Sequence, residues 1–262
     1  MSSPPSAVPR HGDTTTYRLA RTVARTRRGR ALHPAGVTLR GVLAVERETS
    51  RPLGVAVLDR PGRTEVVVRL SKATSLPGVL PDVLGLAVRV PGGAVPGHAG
   101  PGNDGAGSGH DDPGNNGAGS GDDGPGDDLD LLFSTCCPLP VLDRLPWPRS
   151  GFTAGRYSTL VAYRHRRGGL RLVADPSGPP VPPDPASLTG GRLVFHLTAL
   201  PSRGRSWPLA TLTVDGGPPL PDVSFDPVLN AHPELRLPGW LARFRRRAYE
   251  GSREGRAEAP PN

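Results

Sequence analysis

Cysteine is nearly absent from this chain of 262 residues: there are two, and they are adjacent, Cys136-Cys137. A neighbouring pair rarely closes a structural disulfide and lacks zinc-ligand spacing, so no disulfide framework and no zinc ribbon is expected. Lysine is scarcer still. Lys72 is the only one, and the other basic residues are arginine. With the abundance of Ala, Gly and Pro, this bias points to a GC-rich genome more than to a function. No apolar run approaches the roughly 20 residues that span a bilayer. The opening Met1-Ser2-Ser3-Pro4-Pro5 has no charged segment leading into an apolar one, so a signal peptide is not expected. These absences lead to the expectation of a cytoplasmic protein with no membrane partner.

What is plentiful is glycine, at 35 residues, and proline, at 33, which implies many turns and at least one unstructured stretch. The formal net charge is +8, with arginines concentrated at 18–30 and 243–256. A nucleic-acid partner or an anionic surface is one reading of these clusters. Aromatic interleaving is thin, with only Tyr17, Trp240, Phe244 and Tyr249 beside them, which disfavours a single-strand binder. Nucleic acid is therefore an unlikely partner.

The segment 91–127 consists of Gly, Pro, Asn, Asp, Ser and little else. Within it Pro101–Asp111 recurs nearly unchanged as Pro113–Asp123. Such a tract cannot bury enough apolar surface to order itself. Its carboxylates suit calcium, but it lacks the apolar position of glycine-rich calcium-binding repeats. The expectation is a disordered expansion of a hairpin loop, placed where insertion is tolerated. Residues 1–13 and 257–262 are expected to be disordered tails around one domain, 14–256.

Short β-branched runs bounded by Gly or Pro predict strands at Leu39–Val45, Leu53–Leu58, Thr64–Leu70, Leu84–Val90, Leu129–Phe133, Leu170–Ala174, Arg192–Ala199 and Leu209–Val214. The runs flanking the tract are expected to pair. Residues 14–28 suit a short helix, as does Gly151–Tyr163. Residues 136–149 are irregular and Pro-rich, and Asp226–Pro238 reads as a loop. Trp240–Tyr249 predicts a helix with Leu241, Phe244 and Ala248 on one face. Strand follows strand, which favours an antiparallel barrel or sandwich over a parallel α/β sheet.

Six short segments, in order, resemble the haem catalase family. They are Arg30-Ala31-Leu32-His33-Pro34-Ala35-Gly36; Val68-Arg69-Leu70-Ser71; Gly85-Leu86-Ala87-Val88-Arg89; Asp130-Leu131-Leu132; Phe225-Asp226-Pro227; and Arg245 to Arg256 through Tyr249 and Ser252. The resemblance covers most of the chain outside the tails and the tract, and is nearest to small, catalase-like proteins. It implies an α+β, mainly β fold: an antiparallel β-barrel with flanking helices and a C-terminal helix carrying a proximal tyrosine.

The resemblance also implies haem b as cofactor, with Tyr249 as the axial iron ligand. Arg245, one helical turn before it, favours the phenolate. His33 is the implied distal acid and base, and Ser71 is placed to hold its tautomer. Arg30, Arg69 and Arg256 stand where catalases hold the propionates. The family's asparagine after the Asp-Leu strand is missing here. Thr135 or Ser134 takes its place, with Thr135 the candidate. That departure, and Leu70 for the family's phenylalanine, implies weak or absent catalase turnover. Peroxidase chemistry on hydrogen peroxide or an organic hydroperoxide, with an unknown electron donor, is the expectation. A chain without the family's long arm is expected to be a monomer or dimer. Two other classes stay open: a catalase-fold scaffold without haem, and a basic module for nucleic acid or an anionic surface.

Overall fold

The computed structural model describes residues 35–74, 79–92 and 128–239. The helices expected at 14–28 and 240–249, both tails and nearly all of the glycine-rich tract lie outside these.

The described residues form nine strands. These are β1 (Ala35–Val45), β2 (Gly62–Lys72), β3 (Leu84–Val90), β4 (Leu129–Thr135), β5 (Tyr157–Ser158), β6 (Tyr163–His165), β7 (Gly168–Ser177), β8 (Arg192–Pro201) and β9 (Trp207–Asp215). All pairings are antiparallel, in the order β5-β4-β3-β2-β1-β9-β8-β7-β6. A further pairing of β5 with β7, Tyr157 opposite Ala174, closes the sheet on itself. The result is an eight-stranded barrel, in which β6 extends the β5 position along the far end of β7. Closure leaves no long edge exposed, which an open sheet of this size must otherwise protect.

Alternation fixes the two faces. Leu39 and Leu43 of β1, Val68 and Leu70 of β2, Leu86 and Val88 of β3, and Leu131 and Phe133 of β4 point inward and are buried. From the other half, Leu172, Ala174, Phe195, Leu197, Leu212 and Val214 meet them in one core. Tyr157 and Phe195 contact edge to face, with ring centroids 5.6 Å apart. The Tyr157 hydroxyl donates to the Phe152 carbonyl at 2.9 Å, so this buried phenol is satisfied. Burial pushes its pKa well above the ordinary phenol value. The interior is a packed core rather than a channel.

Every other predicted strand is present, most of them longer than expected, and β3 and β4 pair as expected. Two expectations are corrected. Leu53–Leu58 is not a strand; it leads into a single helical turn, α1 (Ala56–Asp59). The Asp59 carboxylate accepts from the backbone N–H groups of Leu53 (2.7 Å), Gly54 (2.7 Å) and Val55 (3.1 Å), which removes them from any ladder. Gly54, at φ +81, supplies the left-handed residue this tight path needs. Gly151–Tyr163 is not a helix either. It contains β5 and the start of β6, because Phe152 and Tyr157 are drawn into the core and Leu160 adopts a positive φ.

Candidate functional site

Beyond β9 the chain runs back across the outside of the barrel as a strap. The Leu220 N–H donates to the Thr38 carbonyl on β1 at 2.8 Å. Asp222 pairs with Arg69 on β2, Nε to Oδ1 at 3.1 Å. The Ser224 carbonyl accepts from Arg89 Nη2 on β3 at 2.8 Å. The Asp226 N–H and the Asn230 amide both donate to Asp130 on β4, at 2.7 and 2.9 Å. The strap thus crosses four strands in order, gaining one strand for every two residues.

Its anchor is the Arg89–Asp130 pair. Arg89 donates from Nε and Nη2 to the two carboxylate oxygens at 2.8 and 2.7 Å, the bidentate fork that makes such pairs strong. That bond to Asp130 raises the Arg89 pKa above its ordinary value. The guanidinium also lies 5.2 Å from the centroid of the Phe225 ring, on the strap. The Phe-x-Pro segment therefore serves to fasten the strap to β3 and β4.

Beside the strap, the outer face of β1–β5 carries two rows of cross-strand neighbours. One row is Gly36, Ser71, Gly85, Ser134 and Ser158. The next is Thr38, Arg69, Ala87 and Leu132. These residues point away from the core, yet Thr38 (3 % exposed), Ser71 (4 %) and Arg69 (5 %) are buried. The Thr38 hydroxyl has no hydrogen-bond partner, which is costly for a buried polar group. Gly36, Gly85 and Ala87 put little bulk between the polar groups.

The absence of a side chain at Gly36 is required. A Cβ there would sit 2.6 Å from the Leu70 carbonyl oxygen and 2.8 Å from the Arg69 Cζ. Gly36→Ala must therefore shift the β1–β2 backbone and push the Arg69 guanidinium aside. We expect a loss of about 1–3 kcal/mol in denaturant unfolding, the cost of overpacking a tight site. A loss within a few tenths would show that this region yields freely.

The structure brings Ser71 and Arg69 together on one face, two residues apart. It separates Thr135 from them. Thr135 ends β4 on the inward face, where its hydroxyl accepts from the Leu84 N–H at 3.0 Å and donates to the Trp147 carbonyl at 2.8 Å. This hydroxyl is engaged by two backbone partners. Ser134, the other residue considered, shares the outer row with Ser71. The period of two was the signal that distinguishes them, since Asp130, Leu132 and Ser134 alternate against Leu131, Phe133 and Thr135. His33, Arg30, Arg245, Tyr249 and Arg256 lie outside the described residues.

Sequence reasoning missed Thr38, Asp222 and the strap anchor, because each acts through a partner more than 40 residues away or, for Thr38, through having none. The two cysteines are free and buried, and burial raises the Cys136 thiol pKa, so it is not an activated nucleophile. Among the described residues no group of three or more His, Cys, Asp or Glu side chains is arranged to hold a metal ion. Nor is any helix there long and apolar enough to cross a membrane.

An antiparallel eight-stranded barrel with an outer strap defines a class, and solved structures identify it. The chain has a catalase-like fold. A bacterial catalase superposes with a TM-score of 0.53 at 11 % identity, over 97 % of this chain and 63 % of that one. A fungal catalase gives 0.52 at 10 % identity, over 100 % and 67 %. Catalase A from Saccharomyces cerevisiae gives 0.50 at 11 %, over 97 % and 68 %. The chain therefore spans about two thirds of the length of these catalases. No family model matches the sequence, and no curated protein matches it.

Proposed function

We propose that this protein is a haem-binding oxidoreductase acting on hydrogen peroxide or an organic hydroperoxide, with weak or no true catalase turnover. The observation that supports this reading most is the buried polar array on the outside of the barrel. A cation, Arg69, and two hydroxyls, Ser71 and Thr38, are withdrawn from water beside a low platform of Gly36, Gly85 and Ala87. The residues present fit haem. The platform suits a flat ring, Arg69 is a donor matched to a propionate, and the orphaned Thr38 hydroxyl beside it needs an acceptor or donor.

Haem, when bound, supplies the redox chemistry that breaks the peroxide O–O bond. The remaining work falls to the chain. Tyr249 would hold the iron, Arg245 would stabilise its phenolate, and Arg30 and Arg256 would join Arg69 at the propionates. His33, two residues before β1 begins, takes the proton from the nearer peroxide oxygen and returns it to the departing one. Ser71, in the second row-forming position of β2, holds the imidazole in the tautomer this requires. Ser134, rather than Thr135, is the hydroxyl proposed to face the peroxide. A short hydroxyl reaches less far than the amide of an asparagine, which is why looser hydroperoxide chemistry is favoured over catalase turnover.

One observation favours a second reading, a catalase-fold scaffold without haem: Arg69 already shares its Nε–H with Asp222. Absorbance of protein expressed with haem supplied separates the two. A Soret band with a high-spin ferric charge-transfer band, lost or shifted in Tyr249→Phe, is the expected result. A folded barrel with no Soret band in either protein would overturn the haem reading.

A further inference from the structure

Eight large hydrophobic side chains stand exposed among the described residues, and most of them fall in one loop. Five come from loop 138–149: Leu139, Val141, Leu142, Leu145 and Trp147, with Val141 91 % exposed and Trp147 47 %. The segment before β3 pairs with the end of this loop. The Asp82 N–H donates to the Arg149 carbonyl and the Arg149 N–H to the Asp82 carbonyl, at 3.2 and 2.9 Å. An apolar patch of this kind marks a binding surface.

The loop is held rigidly. A 3-10 turn, Pro140–Leu142, is closed by Leu142 N–H to the Leu139 carbonyl at 2.9 Å, and Leu145 N–H follows to the Leu142 carbonyl at 2.9 Å. Cys137 N–H reaches the Leu145 carbonyl at 3.0 Å, and Trp147 N–H reaches the Thr135 carbonyl at 2.9 Å. Pro138, Pro140, Pro146 and Pro148 stiffen it further. The apolar side chains are thus presented on a fixed frame, not on a frayed segment.

Charge selects the occupant. Asp143 is the only acid in the loop, and it is neutralised by Arg171 at 2.8 Å. Asp82 is buried and accepts from the Thr74 hydroxyl and from the N–H groups of Thr74 and Val83. What remains is positive: Arg144, exposed beside the apolar tip, while the half-buried Arg149 at its base is turned inward and donates from Nη2 to the Cys136 carbonyl at 2.8 Å. The whole chain carries +8. Two copies meeting here would oppose like charges, whereas anionic headgroups would meet Arg144 beside an apolar tip with a tryptophan at its margin.

We propose that loop 138–149 docks on an anionic lipid bilayer, seating its apolar tip among the headgroups. No spanning segment is needed for such a seat, so the lack of a long apolar run, on which the expectation of no membrane partner rests, does not oppose it. The proposal does not depend on haem binding.

The test is flotation of the full-length protein with phosphatidylcholine vesicles, with and without phosphatidylglycerol. Val141→Asp and Leu145→Asp serve as variants, both at exposed positions and both checked for unchanged far-UV circular dichroism. We expect flotation only with the anionic vesicles, weakening in high salt. Either variant should reduce partitioning by about tenfold or more, as the loss of a seated apolar anchor requires. Fluorescence should be quenched by brominated acyl chains, and that quenching should disappear in Trp147→Phe. Binding that is salt-sensitive but unaffected by both variants would overturn the proposal in favour of the arginine clusters alone. Absence of binding would overturn it too, as would a dimer in sedimentation that Val141→Asp dissociates.

Discussion

Asp130→Ala is expected to lower the unfolding free energy by about 3–5 kcal/mol, the usual consequence of removing one partner from a buried ion pair. Asp130 is 1 % exposed and serves four donors: both arms of Arg89, the Asp226 N–H and the Asn230 amide. Its loss leaves the Arg89 guanidinium with only the half-exposed Asp128, 3.6 Å from its Nε, in place of the bidentate fork, and frees the strap at β4. The midpoint of urea unfolding should fall with little change in slope. Arg89→Ala should cost a similar amount, because it strands Asp130 instead. The double variant should cost clearly less than the two single losses added, since both remove the same interaction. Additive losses, or a single loss below about 1 kcal/mol, the scale of a surface pair, would mean that the strap is fastened elsewhere.

His33→Ala is expected to lower peroxide turnover by the haem-loaded protein by about a hundred- to ten-thousand-fold, the range that a positioned acid and base contributes. The Soret band should persist, because the proposed iron ligand is Tyr249 and not His33. Ser71→Ala should have a smaller effect in the same direction, since it acts by orienting the ring. Thr135→Ser should leave turnover almost unaltered, as a serine hydroxyl preserves the bonds to Leu84 and Trp147. Retained turnover in His33→Ala would remove His33 from the mechanism. Loss of the Soret band in that variant would make it a haem-binding residue instead.

Much of the barrel is legible in the sequence. Strands β1 to β4 and β7 to β9 announce themselves through alternation and β-branched runs bounded by Gly and Pro. The pairing of β3 with β4 follows from the tract between them, because a polar, glycine-rich insertion does not alter which strands neighbour one another. The misread segments are those in which side chains replace backbone partners. Leu53–Leu58 has the composition of a strand, but the Asp59 carboxylate captures three of its N–H groups. Gly151–Tyr163 has helical spacing, but Phe152 and Tyr157 are needed in the core. The candidate site was legible only in part. Arg69 and Ser71 share a face by simple alternation, and the same rule, applied to β4, puts Ser134 on that face and Thr135 on the other.

The sequence by itself determined most of the strands and the alternation that sets their two faces, because these depend on local period and composition. Only the tertiary structure decided that β5 closes the barrel onto β7, that a strap crosses β1 to β4 and that Thr38 is buried without a partner. It alone left five apolar side chains of loop 138–149 exposed. Each of these rests on contacts between residues far apart in the chain, or on the absence of such a contact, and no local pattern encodes either.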